Sequence, residues 1–197
     1  MVPVTASIGK ITDANKGYHL SDITEAVDAY YLADRHIVAV GRLAVTLELP
    51  SQPSNEQVTN VLSGLTPDGS SPLRERATKN LGFDLVFSAR KEISILHALG
   101  GEHIRTEIET AHAHARTAGI DYLDPAASVV RRGAGGTEVF VGNGLLGFAI
   151  THTDTRNQDP QLHEHVLIPN VTQGPDGRWT ALDGREIYRH AKTAGYL

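Results

Sequence analysis

The sequence predicts an α+β fold, because helical patterns occupy the first two-thirds of the chain and strand patterns dominate the last third. The clearest strand pattern is GFDLVFSA, in which Phe83, Leu85 and Phe87 share one face and the residues between them share the other. The last third carries four β-rich segments, SVVRR, TEVFV, LLGFAITHT and LHEHVLIPNV, separated by glycine clusters and by Asp159-Pro160. Together they predict antiparallel hairpins.

The first half of the chain mixes strand, helix and loop patterns. MVPVTASIGKIT alternates loosely and predicts a strand, residues 20–32 have helical spacing, and HIVAVGRLAVTLELP is β-rich up to Pro50. Residues 51–80 are rich in Ser, Pro, Asn and Gly, so we expect a loop-rich insertion with one short helix over residues 56–65.

Three further helices are predicted after that insertion. One covers residues 91–99 and is closed by Gly100-Gly101. A second has Ile104, Ile108, Ala111 and Ala115 at helical spacing, with Gly119 as its stop signal. The third is the amphipathic segment REIYRHAKTAGYL.

Composition excludes several classes of protein. The 197 residues suffice for one domain. The sequence contains no run of 18 apolar residues, so no membrane span is predicted. The N-terminus lacks the pattern of a signal peptide, and the absence of cysteine excludes disulfides and thiolate chemistry, which fits a cytoplasmic protein. A net charge of −5 argues against a surface that binds nucleic acid throughout, but it leaves a local basic groove open.

Two His-x-His pairs are the candidate sites, and their geometry differs. His112 and His114 lie in a helical pattern, where two residues span about 200° around the axis, so these side chains diverge. We expect them on the helix surface, solvated or partly packed. His163 and His165 lie in a strand pattern, where residues two apart point the same way about 6.5–7 Å apart.

His152 ends the preceding strand, and a hairpin can return the chain so that it approaches His163 and His165. Three imidazoles can bind a divalent metal and leave coordination positions open for catalysis. A solvated polar face of a sheet explains the same spacing equally well. Spacing alone does not decide between the two.

Three blocks of the sequence resemble the MobF-type (TrwC-like) conjugative relaxases. They are GFDLVFSARKEISILHALG, HTDTRNQDPQLHEHVLIPNV and GPDGRWTALDGREIYRHAKTAGYL, and the N-terminal SIGKITDANKGYHL is also similar. The resemblance implies an antiparallel, palm-like (RRM-like) sheet of the HUH-endonuclease type flanked by helices. It also implies that residues 1–197 form a single relaxase domain, an N-terminal piece of a longer protein.

The activity implied by the resemblance is site- and strand-specific nicking of single-stranded DNA at an origin of transfer. In that family a tyrosine attacks a phosphodiester and becomes linked to the 5′ phosphate, and a metal held by three histidines polarises the scissile phosphate. Other relaxosome proteins are possible partners, and no membrane is involved.

The family's functional residues match positions of this sequence. His152, His163 and His165 match the metal ligands, Tyr18 matches the first tyrosine, and Tyr30 and Tyr31 match the second tyrosine cluster. Asp84 matches an aspartate that orients a ligating histidine or accepts the tyrosine proton; we favour the first role because a carboxylate is a weak base toward tyrosine. Imidazole ligands favour Zn²⁺, Mn²⁺ or Ni²⁺, although Mg²⁺ could serve. Four residues are candidate DNA contacts, of which the first two could instead brace the hairpin: Arg156, Asn170, Arg178 and Arg185.

The sequence also departs from the family's pattern. Glu164 stands between the two histidines where a small polar residue is usual; on a strand it points away from the metal. Residues 35–81 match poorly. Two alternatives to a nicking enzyme therefore stay open: a DNA-binding remnant that does not cut, and a cupin-like metal oxygenase, although a cupin would place a glutamate in residues 166–170, where there is none.

Overall fold

The computed structural model describes residues 4–12, 37–74, 78–155 and 157–197. The helix predicted over residues 20–32 lies outside these ranges. The described helices are α1 (Leu43–Thr46), α2 (Asn55–Leu62), α3 (Lys91–Leu99), α4 (Glu102–Ala127) and α5 (Gly184–Ala194). The strands are β1 (Val4–Thr12), β2 (Ile37–Val40), β3 (Asn80–Ala89), β4 (Val129–Arg132), β5 (Glu138–Val141), β6 (Gly147–Asp154), β7 (Pro160–Pro169), β8 (Thr172–Gln173) and β9 (Trp179–Thr180).

Five strands form one antiparallel sheet in the order β1-β3-β7-β6-β2. The hairpin-forming strands β6 and β7 lie toward its centre, and β1 and β2 are its two edges. Two-stranded ribbons, β4-β5 and β8-β9, lie outside it. The predicted α+β class is therefore confirmed, with the sheet assembled from both ends of the chain.

Each face of the sheet has its own apolar core. One core joins Phe83, Leu85 and Phe87 of β3 to buried residues of α4 and α5, as the alternation of GFDLVFSA predicts. The opposite face packs Phe148, Ile150 and Leu167 against α1, α2 and the partly buried leucines of the link between them. The helices thus form two layers around a sheet that is apolar on both sides.

The β-rich stretch predicted up to Pro50 is shorter than expected. Strand β2 ends at Val40, and Gly41 then takes a positive φ of 85°. A side chain at Gly41 would meet the backbone of Leu145, so a glycine is required at this close approach. The chain then turns into the short helix α1 instead of extending the strand, and Leu43 and Ala44 are buried beneath the sheet.

The segment predicted as a loop-rich insertion contributes to the core. Helix α2 is capped by Ser54, whose side chain accepts a hydrogen bond from the Gln57 backbone N–H, while the Ser54 backbone N–H donates one to the Gln57 side-chain oxygen. It buries Val58, Val61 and Leu62, and the loop after it buries Leu73. The insertion therefore covers one face of the sheet.

The prediction that Gly119 stops the second long helix is wrong. Helix α4 is 26 residues long and passes through Gly119 to end at Ala127. Gly119 is buried, and a Cβ there would lie 2.7 Å from the Ala194 carbonyl oxygen and 2.8 Å from the Phe87 ring. The glycine permits close packing of α4 against β3 and the end of α5. From the sequence alone, a glycine that allows close packing cannot be distinguished from a glycine that ends a helix.

Within the described ranges, no helix combines the length and apolar character needed to cross a membrane.

Candidate metal centre

The three histidines occupy two cross-strand rows of the central hairpin. His152 of β6 pairs directly with His163 of β7, and His165 lies two residues further along β7, opposite Ile150. Because alternate strand residues share a face, all three imidazoles project from the same side of the sheet. Leu162, Val166 and Ile168 take the opposite face and are buried.

The imidazole rings form a nearly equilateral triangle. Ring centroids are 5.1 Å apart for His152 and His163, 5.1 Å for His152 and His165, and 5.3 Å for His163 and His165. All three residues are half-buried, so the cluster is reachable from solvent.

Hydrogen bonds define which nitrogen faces the cluster in two of the rings. The Nδ1 of His163 lies 2.8 Å from the carbonyl oxygen of Gln161, and the Nδ1 of His165 lies 2.9 Å from both carboxylate oxygens of Asp84. Since these partners accept hydrogen bonds, we assign the proton of each ring to Nδ1. The Nε2 lone pairs are then free for a ligand.

Asp84 reaches His165 from the neighbouring strand. It lies on β3 opposite Leu167, two residues from His165 along β7, and only 7% of it is exposed. A buried carboxylate that binds the far nitrogen of an imidazole fixes the tautomer and orientation of that ring. This is the contact that the favoured role of Asp84 requires.

His163 is held in the neutral form that a metal ligand needs. Burial lowers the pKa of His163, and the nearby His165 adds to that effect, while the hydrogen bond to Gln161 opposes it. A neutral imidazole at pH 7 keeps its second lone pair available.

The donor set and its spacing fit a metal ion, although the rings are not in coordination geometry. Three imidazoles around a tetrahedral ion, with bonds of about 2.0–2.1 Å, have centroids roughly 5 Å apart, the spacing found here. In the described part of the chain, no three His, Asp or Glu side chains are arranged to hold an ion as they stand. His152 and His163 are stacked within 26° of parallel, whereas ligands of one ion turn their planes toward it. The required adjustment is a rotation of side chains on strands that are already at the right separation.

Four of the other predicted site residues lie outside the described residues: Tyr18, Tyr30, Tyr31 and Arg156. The side chains of Arg178 and Arg185 are 79% and 67% exposed near acidic neighbours, Asp176 and Asp183.

Asn170 is buried and forms hydrogen bonds within the protein. It is 5% exposed, its amide nitrogen donates to the Asn80 carbonyl at 2.9 Å, and its amide oxygen accepts from the Leu182 backbone at 3.0 Å. Of its two predicted roles, this geometry favours the brace over the DNA contact.

The second His-x-His pair diverges as expected, but one member is not on the surface. His114 is exposed, whereas His112 is 2% exposed against the sheet. The expectation of a helix-surface role for His112 is therefore wrong, because α4 lies flat on the sheet and His112 is on its inner face. Burial lowers the pKa of His112, partly offset by Glu164.

Two features of the site were missed from the sequence. The Gln161 carbonyl that orients His163 is a backbone group, which no residue pattern marks. Glu164 does point away from the histidines, but it is buried next to Arg116 and His112 of α4. The helix and strand patterns give no sign that residues this far apart in sequence meet.

Comparison with known proteins decides the family. The model of the TrwC relaxase family matches residues 12–197. The chain belongs to the TrwC relaxase family. Membership removes the support for the cupin-like alternative and agrees with the open antiparallel sheet.

Relatives of known sequence and structure agree with this assignment. A multifunctional conjugation protein TraI of Escherichia coli is 32% identical over 150 residues, which is 75% of this chain but 8% of TraI. A metal-bound structure of the conjugative relaxase TrwC in complex with oriT DNA superposes with a TM-score of 0.82 at 27% identity, covering 96% of this chain and 65% of that one. A copper-bound TrwC complex gives 0.80 at 28%, covering 96% and 66%. The chain thus spans a small part of TraI and about two-thirds of the TrwC structures.

Proposed function

We propose that this relaxase domain is a metal-dependent endonuclease and transesterase that nicks one DNA strand at a plasmid origin of transfer. The observation that carries the proposal is the triangle of His152, His163 and His165, two of whose rings present Nε2 because Nδ1 is hydrogen-bonded. The TrwC relative is described as metal-bound and in complex with oriT DNA.

The chemistry is a phosphodiester transesterification. A tyrosine oxygen forms a bond to the scissile phosphorus, the bond to the 3′ oxygen breaks, and the protein is left linked to the 5′ phosphate. A divalent ion held by the three histidines would stabilise the charge that develops on the phosphate oxygens. Because free tyrosine has a pKa of about 10, a base or the nearby cation must assist the loss of its proton, which ends on the departing 3′ oxygen. The hydrogen bond of Asp84 to His165 favours its role in orienting that ring over the role of base.

We propose Tyr18 as the attacking residue, with Tyr30 or Tyr31 available for a second transfer. All three belong to residues 13–36, which link β1 to β2 in sequence. Ile37, the first described residue after that link, pairs with Ile150, which in turn pairs with His165. The chain therefore returns to the sheet in the same cross-strand row as a proposed metal ligand, which supports this assignment.

The imidazole ligands favour Zn²⁺, Mn²⁺ or Ni²⁺ over Mg²⁺. The TrwC relative has also been described in a copper-bound form. The DNA contacts proposed for this chain are Arg178 and Arg185, which are exposed, and Arg156. We place the activity in the cytoplasm, with other relaxosome proteins as further partners.

The proposal is tested with a labelled single-stranded oligonucleotide that contains the origin of transfer, incubated with Mn²⁺ and resolved on a denaturing gel. We expect a covalent protein–DNA adduct that is lost in Tyr18→Phe and after addition of EDTA. An adduct that persists in Tyr18→Phe and disappears in Tyr30→Phe or Tyr31→Phe would contradict the choice of nucleophile. DNA binding with no adduct under any metal would show a non-cleaving, DNA-binding remnant instead.

A further inference from the structure

Beneath the three histidines, on the opposite face of the sheet, lies a buried polar cluster formed by Glu164, Arg116 and His112. Their exposed fractions are 5%, 7% and 2%. One Glu164 oxygen accepts a hydrogen bond from the Thr151 hydroxyl at 3.0 Å. The other lies 3.3 Å from Arg116 Nε and 3.9 Å from His112 Nε2.

The position of Glu164 relates this cluster to the histidines. Thr151 and Glu164 form a direct cross-strand pair, flanked on one side by the pair His152–His163 and on the other by Ile150–His165. The Thr151–Glu164 hydrogen bond thus lies between the two cross-strand rows that carry the histidines. The regular β6–β7 register is interrupted immediately beyond the His152 row. Side-chain contacts in the middle row therefore help to hold His152 at its distance from the other two.

Stability alone does not explain such a cluster. A buried ion pair usually contributes no more than an apolar pair of the same volume, because both ions lose their hydration. Here several atoms also lack a hydrogen bond of normal geometry to any described residue, namely both His112 ring nitrogens, Arg116 Nε and the second Glu164 oxygen. What the arrangement does provide is an ion pair between α4 and β7 together with a hydrogen bond between β7 and β6.

We propose that Glu164, fixed by Arg116 and bonded to Thr151, is a positioning residue that sets the spacing of the three histidines and so their affinity and geometry for a divalent ion. This inference rests on the proposed function, in that it takes the histidines as the metal ligands. It assigns Glu164 no contact with metal or DNA, since its side chain is on the other face of the sheet.

The test uses the 197-residue chain and two double variants that both remove the buried charges. Glu164→Leu with Arg116→Met removes the bond to Thr151, whereas Glu164→Gln with Arg116→Met keeps an acceptor for it. We expect the first variant to stay folded by circular dichroism but to bind Mn²⁺ about 10–100-fold more weakly in calorimetry. The second should bind within a few-fold of the wild-type chain, and only the first should alter the electron paramagnetic resonance spectrum of bound Cu²⁺.

Thr151→Val gives a milder form of the same test, because it removes only the hydroxyl from an exposed position and leaves the ion pair intact. Thr151→Val should change the Mn²⁺ affinity and the Cu²⁺ spectrum in the same direction as the leucine variant does. It replaces the leucine variant in the test if that variant does not fold. Wild-type affinity and an unchanged Cu²⁺ spectrum in Thr151→Val or in the leucine variant overturn the proposal. A wild-type chain that binds no ion overturns the metal site itself, and this result is seen before any variant is made.

Discussion

Asp84 connects strand β3 to the hairpin that carries the three histidines. Its two carboxylate oxygens are equidistant, at 2.9 Å, from the Nδ1 of His165. A hydrogen bond of this kind makes the imidazole a stronger metal ligand and prevents rotation of the ring. The single carboxylate thus determines which nitrogen of His165 faces the cluster.

Replacing Asp84 with Asn should weaken metal binding about 10–100-fold, because the charged acceptor of the His165 proton is lost. Calorimetric titration with Mn²⁺ measures the effect. Asp159→Asn is the matched control, since it removes an exposed carboxylate from the β6–β7 loop with the same change of charge. Equal affinities in Asp84→Asn and the control would show that Asp84 does not orient a ligand.

The sequence predicts part of this site because strand geometry is local. A period of two places His163 and His165 on one face without knowledge of the fold. The contact of Asp84 with His165 joins residues 81 positions apart, so it depends on strand order, which only the family resemblance supplied. Burial of Glu164 beside Arg116 was missed for the same reason, since a period of two gives its direction but not its neighbours.

At the scale of elements, the packing of α4 against the sheet depends on a glycine. Gly119 lets the Phe87 ring and the end of α5 approach the helix axis more closely than any side chain would allow. The same contact brings His112 and Arg116, one to two turns earlier, onto the back of β7.

Gly119→Ala should therefore destabilise the fold by about 1–3 kcal/mol through overpacking, despite the better helix propensity of alanine. Urea denaturation measures the change. Gly9→Ala on β1 is the control, because no atom beyond its chain neighbours lies within 4 Å of a Cβ there. A Gly119→Ala chain as stable as Gly9→Ala would mean that α4 can move away from the sheet at little cost.

Helix α5 begins at Asp183, whose charge links it to β4. Burial alone would raise the pKa of Asp183, but hydrogen bonds from Arg185 and Arg131 outweigh it and hold the pKa at about 2. Because this value lies below the unfolded pKa of about 3.9, the ionised group stabilises the fold above pH 4. That contribution is lost as the pH falls from about 4 to 2.

Asp183→Asn keeps a capping side chain but removes the charge, so it should lower the free energy of unfolding at pH 7 by about 1 kcal/mol or less. The difference from wild type should shrink between pH 4 and pH 2, as followed by urea denaturation at several pH values. Asp121→Asn, which removes an exposed carboxylate of α4, controls for the change in net charge. A difference that is constant with pH would contradict the role of the charge.

Element prediction succeeded where the local pattern also met the tertiary requirement. The alternation in β3, the bounds of α3 and the amphipathic pattern of α5 agree with the structure. It failed at Gly41 and Gly119, because glycine marks a turn at the first and close packing at the second. A single sequence does not separate these two uses of glycine.

At the scale of the whole molecule, the two faces of the sheet differ in what they carry. The long helix α4 and α5 cover one face and form its core, while the histidines project from the other face near the return of the chain into β2. With a net charge of −5, any attraction to DNA has to come from local basic groups, and Arg178 and Arg185 are the exposed candidates proposed above. The face that carries the histidines also packs against α1 and α2, and the half-buried histidines are a polar part of it.

The central claim is that the histidines of β6 and β7 hold the ion required for DNA cleavage. It is tested most directly by comparing covalent adduct formation on a labelled origin oligonucleotide in His163→Ala and in His114→Ala, the latter an exposed histidine of the other pair on α4. We predict that His163→Ala forms no adduct at any Mn²⁺ concentration that saturates the wild-type chain, while His114→Ala matches wild type. Adduct formation by His163→Ala at the wild-type rate would contradict the claim.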